Sequence, residues 1–429
     1  MTRVVFCLIS LFAGAAPILG QVRPEPTATP VKLIVTDNTP KPAAVRPRVT
    51  PTPIIVGSSG PTVQTPAQTV EQKPITPMVP ITVPMPEVTH RTLSFRDIKN
   101  KIAEAKRQMQ SRPITIVSVN TPMYGESVRI AFHDWDTNKI DYAVVTKEAF
   151  LSVASEKLVS SEAGRQLRIR TVRGNGVNTP LLLLDEKGTT HLPLLVQYPV
   201  VREGKYLETA YYMSTHPGLV NPEVVNAGRV YVRNVIEIAR ERLKEKGITV
   251  SPKIADIAER LSTVEHVDHM RFRTEPHSKI FDDIFTLYAL NEGQTYRYSV
   301  SSAGAGGMVQ MIPSTYRMVR SWHPNVPLIP DFVEGMRNHV NAAQAMLLYM
   351  NRTWADLAAS PTVMNAYSSG IASQEQLMAA GYNSNPARIA GYINRGGENW
   401  TGLIPRETKV YLQIWDSIER YVPMTPRTK

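Results

Sequence analysis

Ala289-Leu290-Asn291-Glu292-Gly293 closes an apolar segment, and Ser301-Ser302-Ala303-Gly304-Ala305-Gly306-Gly307-Met308-Val309-Gln310-Met311-Ile312-Pro313-Ser314-Thr315 follows shortly after it. The pattern predicts a helix that ends at Glu292, then a loop of small residues in which the backbone can approach a ligand closely. A carboxyl group at the edge of an apolar cluster can keep its proton near neutral pH, which protonation of a glycosidic oxygen requires. The residue types alone therefore indicate Glu292 as a general acid, with a solvated helix end as the alternative.

This segment resembles the catalytic motif of the soluble lytic transglycosylases, enzymes that cleave peptidoglycan and have a lysozyme-like fold. In that family a Glu-Ser pair is separated by a fixed interval from a serine and then from Gly-Ala-x-Gly-Leu-Met-Gln. Glu292 matches the acid without a gap. The other residues in register are Ser301, Gly304, Ala305, Gly307, Gln310, Pro313 and Thr315.

Two further blocks follow in the family's order. Asn365-Ala366-Tyr367-Ser368-Ser369-Gly370 is similar to Ala-Ala-Tyr-Asn-Ala-Gly, and Pro405-Arg406-Glu407-Thr408-Lys409-Val410-Tyr411 resembles Pro-x-Glu-Thr-x-x-Tyr. The resemblance covers about residues 275–425, which is a third of the chain. The sequence departs from the family pattern at Gly293, Val309, His339 and Ser368.

The resemblance implies a lyase mechanism with one carboxylate and no cofactor or metal. Glu292 would protonate the oxygen between N-acetylmuramic acid and N-acetylglucosamine, and its anion would then deprotonate the sugar's own C6 hydroxyl, giving a 1,6-anhydro end. Tyr367 would lie beside the acid, and Glu407 would position substrate or support the structure. The residues expected to line the sugar cleft are Ser301, Gly304, Gly307, Met308 and Gln310.

Two other functions remain open. A muramidase of the lysozyme type would use the same acid but would consume water. The replacements at Gly293 and Ser368 suggest instead a non-catalytic protein that binds peptidoglycan or helps to assemble the envelope.

The composition divides the chain into four parts and predicts an α+β fold. Residues 1–20 are typical of a signal peptide, because Arg3 precedes a short apolar stretch and small residues follow. Residues 21–92 are rich in proline and threonine and predict a disordered tether. Residues 93–220 predict a β-rich accessory domain of unknown role, and residues 221–429 predict a helical domain, which the resemblance implies is a lysozyme-like catalytic domain.

Within the β-rich part, apolar residues at helical spacing predict a first helix over 95–110, and a short second helix is expected over 147–158. The strands are expected at 114–119, 127–135, 140–146, 167–172, 181–184, 191–198 and 206–213. In the C-terminal part the clearest predicted helices are 224–246, 252–261, 278–290, 349–357 and 407–421.

The charge and the single cysteine narrow the partners and the compartment. The net charge of +11 is spread evenly, which argues against nucleic acid and is compatible with an acidic envelope polymer. Cys7 lies inside the predicted signal peptide, so the mature chain would hold no disulfide. We therefore expect a periplasmic or secreted envelope protein. The resemblance implies that it acts on peptidoglycan glycan strands, and the β-rich domain could contact an envelope protein.

A cluster of five polar residues precedes the predicted catalytic helix. Its spacing fits no defined metal-ligand pattern, so polar residues of a connecting segment are the favoured interpretation. The cluster comprises Glu265, His266, Asp268, His269 and His277.

Overall fold

The computed structural model describes residues 91–112, 127–202 and 204–428, which belong to one compact unit. The predicted signal peptide, the predicted tether up to residue 90 and the strand expected at 114–119 lie outside these residues. No described helix is both long and apolar enough to cross a membrane.

The first described element is α1 (Phe95–Ser111), which begins where the Ser94 side chain accepts a hydrogen bond from the Asp97 backbone N–H. Ile98, Ile102, Ala105 and Met109 form its buried face, at the helical spacing that the sequence predicts. The strands that follow are β1 (Ser127–Asp134), β2 (Lys139–Thr146), β3 (Lys157–Ser160), β4 (Gln166–Thr171), β5 (Leu181–Asp185), β6 (Thr190–Arg202) and β7 (Lys205–Tyr212).

These strands form one antiparallel sheet in the order β2-β1-β6-β5-β4-β3, and β7 pairs with β6. Strand β6 is long enough to pair with β5 at its start, with β1 over its first half and with β7 over its second half. The helix expected over 147–158 is wrong in its second half. Helix α2 covers only Lys147–Leu151, and residues 157–160 instead pair with β4 as strand β3.

Helices dominate from Pro222 onward. They are α3 (Pro222–Lys244), α4 (Pro252–Val264), α5 (His269–Thr274), α6 (His277–Asn291), α7 (Pro313–Trp322), α8 (Phe332–Arg337), α9 (His339–Ala358), α10 (Pro361–Ser368), α11 (Gln374–Asn383), α12 (Ile389–Gly396) and α13 (Arg406–Tyr421). All five helices predicted above are present, and the one expected over 349–357 is the second half of the longer α9.

Three hydrophobic clusters hold the described residues together. One lies within the sheet, and the largest is formed by the helices and includes most of α9. The third contains the buried face of α1, strand residues such as Leu194, and Ala289 and Leu290 from the end of α6. The fold is thus a mixed α+β structure in which α1 and the sheet pack directly against the C-terminal end of α6.

Candidate functional site

Glu292 ends α6 in a backbone conformation that side chains rarely adopt. Its φ is 47° and its ψ is −125°, and its backbone N–H donates to the Tyr288 carbonyl. Tyr296 and Gln310 also have positive φ, so three of the four described non-glycine residues with this property lie between Glu292 and Gln310. Such strain persists only where the surrounding structure imposes it, and it is concentrated at functional sites.

The Glu292 carboxylate is exposed and paired with a cation from the β-rich part. Lys99 of α1 places its Nζ 2.5 Å from Glu292 Oε1, and the Glu292 side chain is 56% exposed. The sequence analysis expected this carboxyl at the edge of an apolar cluster. That expectation is wrong for the side chain, because Ala289 and Leu290 of the same helix enter the shared cluster while Glu292 points to α1.

Asn291 fixes the end of α6 to the sheet. Its Nδ2 donates to the Met213 carbonyl at 2.8 Å, and its Oδ1 accepts from the Met213 backbone N–H at 2.8 Å. A paired amide contact of this kind leaves the end of the helix little rotational freedom. The position of Glu292 is therefore set by the residue that follows β7 as well as by its own helix.

A buried histidine holds the chain just after Glu292. His339 Nε2 lies 2.8 Å from the Thr295 carbonyl, which can only accept, so Nε2 carries the proton. Its Nδ1 then accepts from the Tyr231 hydroxyl at 2.9 Å. Burial lowers the pKa of His339 to about 4, so the ring is neutral at neutral pH. Burial and the Glu292 charge raise the pKa of Tyr231 to about 12, so its hydroxyl keeps its proton.

The glycines and Met308 of the loop have packing roles. A Cβ on Gly307 would lie 2.3 Å from the Met336 carbonyl oxygen, and its φ is +66°, so only glycine fits there. Met308 is fully buried in the helical core and has no surface to offer a glycan. Gly304 also has positive φ but more open surroundings, and Ser301 is exposed and accepts from the Ala305 backbone N–H.

Gln310 faces a cavity of about 340 Å³ that is lined by both the sheet and the helices. Its Nε2 donates to the Gly307 carbonyl at 2.9 Å and to Ser299 Oγ at 3.3 Å. Glu265, Tyr296 and Ser299 line the same cavity, whereas Glu292 does not. Gln310, which was expected to line the sugar cleft with the acid, therefore lines a cavity to which Glu292 does not contribute.

Tyr367 and Glu407 have interactions of their own that do not include Glu292. Tyr367 is 40% exposed, and its ring meets the edge of Trp354 with the ring centres 5.7 Å apart. Within the described part of the chain it forms no hydrogen bond with Glu292. Glu407 is exposed in the first turn of α13, and its charge helps to raise the pKa of Glu265.

Glu265 is a carboxyl group whose pKa is raised by burial, the property that the sequence predicted for Glu292. Burial raises its pKa to about 8, although the Tyr411 hydroxyl donates to its Oε1 at 2.6 Å and opposes this shift. The carboxyl group lines the cavity beside Gln310. Its partner Tyr411 belongs to the third family block, so that block supports Glu265 in this structure.

Glu265→Gln should make the protein more stable at alkaline pH. The pKa of Glu265 is higher in the folded than in the unfolded chain, so its contribution is fully present below about pH 4.5 and is lost as pH rises through about 8. The free energy of unfolding of the variant, relative to that of wild type, should therefore be about 1–3 kcal/mol higher at pH 9 than at pH 5. Thermal unfolding at the two pH values measures this difference. Glu398→Gln, at an exposed position, is the control; equal pH profiles for Glu265→Gln and wild type would contradict the assignment.

Residues of the polar cluster before α6 form hydrogen bonds with other groups of the protein. His266 Nε2 contacts the Met308 carbonyl, and His277 Nδ1 contacts Ser417 Oγ. Asp268 caps α5 by accepting from the Met270 and Arg271 backbone N–H groups. No group of three or more potential ligands in the described ranges is arranged to hold a metal ion.

Sequence reasoning missed several residues around the motif. Lys99 lies on the polar face of α1, and nothing in its local pattern indicates a partner 193 residues away. The sequence contained one indication of the His339 contact, because a histidine at this position departs from the family pattern. Comparison with protein-family models, with curated proteins and with solved structures finds no match to this chain.

Proposed function

We propose that this protein is a peptidoglycan lytic transglycosylase with a lysozyme-like helical region, in which Glu292 acts first as acid and then as base. The observation that carries the proposal is the position of Glu292. It ends α6 in a strained backbone conformation, directly before the loop that matches the family motif, and its carboxylate is exposed.

Proton balance determines what Glu292 must do. The protonated carboxyl donates to the glycosidic oxygen while the bond from that oxygen to C1 of the muramic acid breaks, and the N-acetyl oxygen stabilises C1. The resulting carboxylate takes the proton of the C6 hydroxyl as O6 bonds to C1. Glu292 is protonated again at the end, and no water is consumed. In a muramidase, water would take the place of O6.

Lys99 must leave Glu292 before this reaction can begin. A carboxylate in an ion pair with an ammonium group has no proton to donate, and the Lys99 side chain occupies the space next to Oε1. A sugar that enters beside Glu292 would displace Lys99 and remove water, which allows the carboxyl to be protonated. The contact with α1 would then describe a resting state.

Lys99→Met should raise the rate of peptidoglycan cleavage by a factor of about 1.4 to 5. Exposed ion pairs contribute about 0.2–1 kcal/mol, so removal of this one should favour the open state by that amount. Initial rates of dye release from labelled peptidoglycan would measure the effect. Lys106→Met is the control, because Lys106 is exposed on the same helix and lies over Tyr211. A lower rate in Lys99→Met would mean that Lys99 assists Glu292.

The proposed function is tested by digestion of purified peptidoglycan and mass spectrometry of the products. We expect 1,6-anhydromuramyl ends, which are lighter by one water than reducing ends. Reducing muramic acid without the anhydro form would identify a muramidase instead.

A non-catalytic peptidoglycan-binding protein is the second candidate. Two observations favour it. Lys99 forms an ion pair with the Glu292 carboxylate, and Gln310 lines a cavity to which Glu292 does not contribute. For such a protein, sedimentation with insoluble peptidoglycan should be positive while wild type and Glu292→Gln release equally little product.

A further inference from the structure

The cavity beside Gln310 contains a cation that has no direct partner. Arg173 lies in the segment between β4 and β5 and is half-buried, and its guanidinium forms no hydrogen bond or ion pair with any described residue. Burial lowers the pKa of Arg173, and the charge of Arg271 adds to this shift. A desolvated cation without a partner is costly, and a bound anion would relieve that cost.

The other cations of the cavity already have acceptors. Arg271 donates to Glu275 Oε1 at 2.9 Å and to Asp283 Oδ2 at 2.5 Å. Lys147 Nζ donates to the Pro199 carbonyl at 3.3 Å and lies 4.7 Å from the centre of the Tyr198 ring. Arg173 is therefore the cation available to a ligand.

The acidic groups of the cavity also have hydrogen-bond donors within the protein. Glu265 accepts from Tyr411, Asp268 from the first turn of α5, and Asp283 from Arg271 and Lys279. The charges of Asp268 and Asp283 favour the Arg173 cation at longer range, but neither group forms a hydrogen bond with it.

The segment that carries Arg173 is held in place. The Asn175 backbone N–H donates to Thr179 Oγ at 2.8 Å, and the Thr179 hydroxyl donates to the Gly176 carbonyl at 2.8 Å. A Cβ on Gly174 would lie 2.5 Å from the Leu151 carbonyl oxygen, so this segment packs closely against the end of α2. The guanidinium is thus presented from a fixed part of the sheet region.

The remaining lining suits a peptide better than a simple ion. Asn175 offers a side-chain amide, Gln310 its side-chain Oε1, Ser299 a hydroxyl and Tyr298 a ring, and these groups complement peptide bonds and short side chains. The volume of about 340 Å³ lies at the small end of the range for ligand sites. Gln310 joins the cavity to the loop that follows Glu292.

We propose that this cavity binds a carboxylate of the peptide stem of peptidoglycan, with Arg173 as its anchor; this inference rests on the proposed function. Stem peptides carry free carboxylates, and a guanidinium can bind a carboxylate through two parallel hydrogen bonds. The β-rich region then contributes directly to substrate binding, because it supplies the cation while the helical region supplies Gln310 and Ser299.

Calorimetric titration of the full chain tests the proposal with N-acetylmuramyl-L-alanyl-D-glutamate, which has no glycosidic bond to cleave. Wild type should bind this probe, and Arg173→Gln should bind it at least tenfold more weakly. The affinity of Arg173→Lys should lie between those of wild type and Arg173→Gln. Lysine keeps the positive charge but cannot form two parallel hydrogen bonds with a carboxylate. Arg168→Gln is the matched control, because Arg168 lies on β4, is half-buried and does not line the cavity. Unchanged thermal unfolding would show that the variants are folded.

Two further probes define the ligand. The same compound with both carboxylates amidated should bind wild type at least tenfold more weakly, and Arg173→Gln should cause no additional loss. Inorganic phosphate should bind far more weakly than the acidic probe. Equal affinity for phosphate, equal affinity of Arg173→Gln and wild type, or no binding by wild type would overturn the proposal. Binding without any cleavage of peptidoglycan would instead contradict the proposed function and leave the inference standing.

Discussion

Glu292→Gln is expected to lower the rate of peptidoglycan cleavage by about 10³-fold or more while leaving the fold intact. A glutamine amide is close in shape to a carboxyl group but can neither donate a carboxyl proton nor accept one from the C6 hydroxyl. General acid–base catalysis contributes about 10²–10⁴-fold in enzymes, and both roles fall on one residue here. The variant also loses the ion pair with Lys99, which is exposed and adds little stability.

Release of soluble anhydromuropeptides, measured against time, is the appropriate assay. Glu398→Gln provides the control, since Glu398 is exposed in the helical region and has the same change of charge. Residual cleavage close to that of wild type would exclude Glu292 as the acid. Glu265 would then be the next residue to test, because it lines the cavity beside Gln310 and burial raises its pKa to about 8.

Local patterns were sufficient to predict most of the elements. Helical spacing of apolar residues placed α1, α3 and α6, and the strand patterns placed every described strand except β3. The error over 147–158 shows the limit of such patterns. Apolar residues at Leu151 and Leu158 fit a helix, but residues 157–160 pair with β4, and pairing between strands is not encoded locally.

The candidate site was less predictable because its contacts join distant parts of the chain. The motif identified Glu292, but its contact with Lys99 depends on how α1 packs against the end of α6. The cavity beside Gln310 depends in the same way on the segment around Arg173. Met308 illustrates the reverse case, since its place in the family motif suggested substrate contact and the structure buries it.

Gly228→Ala should be strongly destabilising, by about 2–4 kcal/mol, because α3 and α6 touch at this residue. A Cβ on Gly228 would lie 1.9 Å from the Phe285 carbonyl oxygen and 2.6 Å from its carbon, and these are backbone atoms that cannot rotate away. The two helices would have to separate, at the cost of contacts along their whole interface. At the size of this chain, the loss should lower Tm by roughly 3–6 °C.

Gly391→Ala is the matched control for this prediction. Gly391 also lies within a helix, but its added Cβ would meet only the flexible end of Arg395 at 3.5 Å, so the change should stabilise by up to about 1 kcal/mol through helix propensity. If Gly228→Ala had the same Tm as wild type, that result would contradict the close packing of α3 on α6 described above. Because α6 carries Glu292, separation of these helices should also lower cleavage in the fraction that remains folded. The contact at Gly228 therefore supports the position of the proposed acid as well as the helical core.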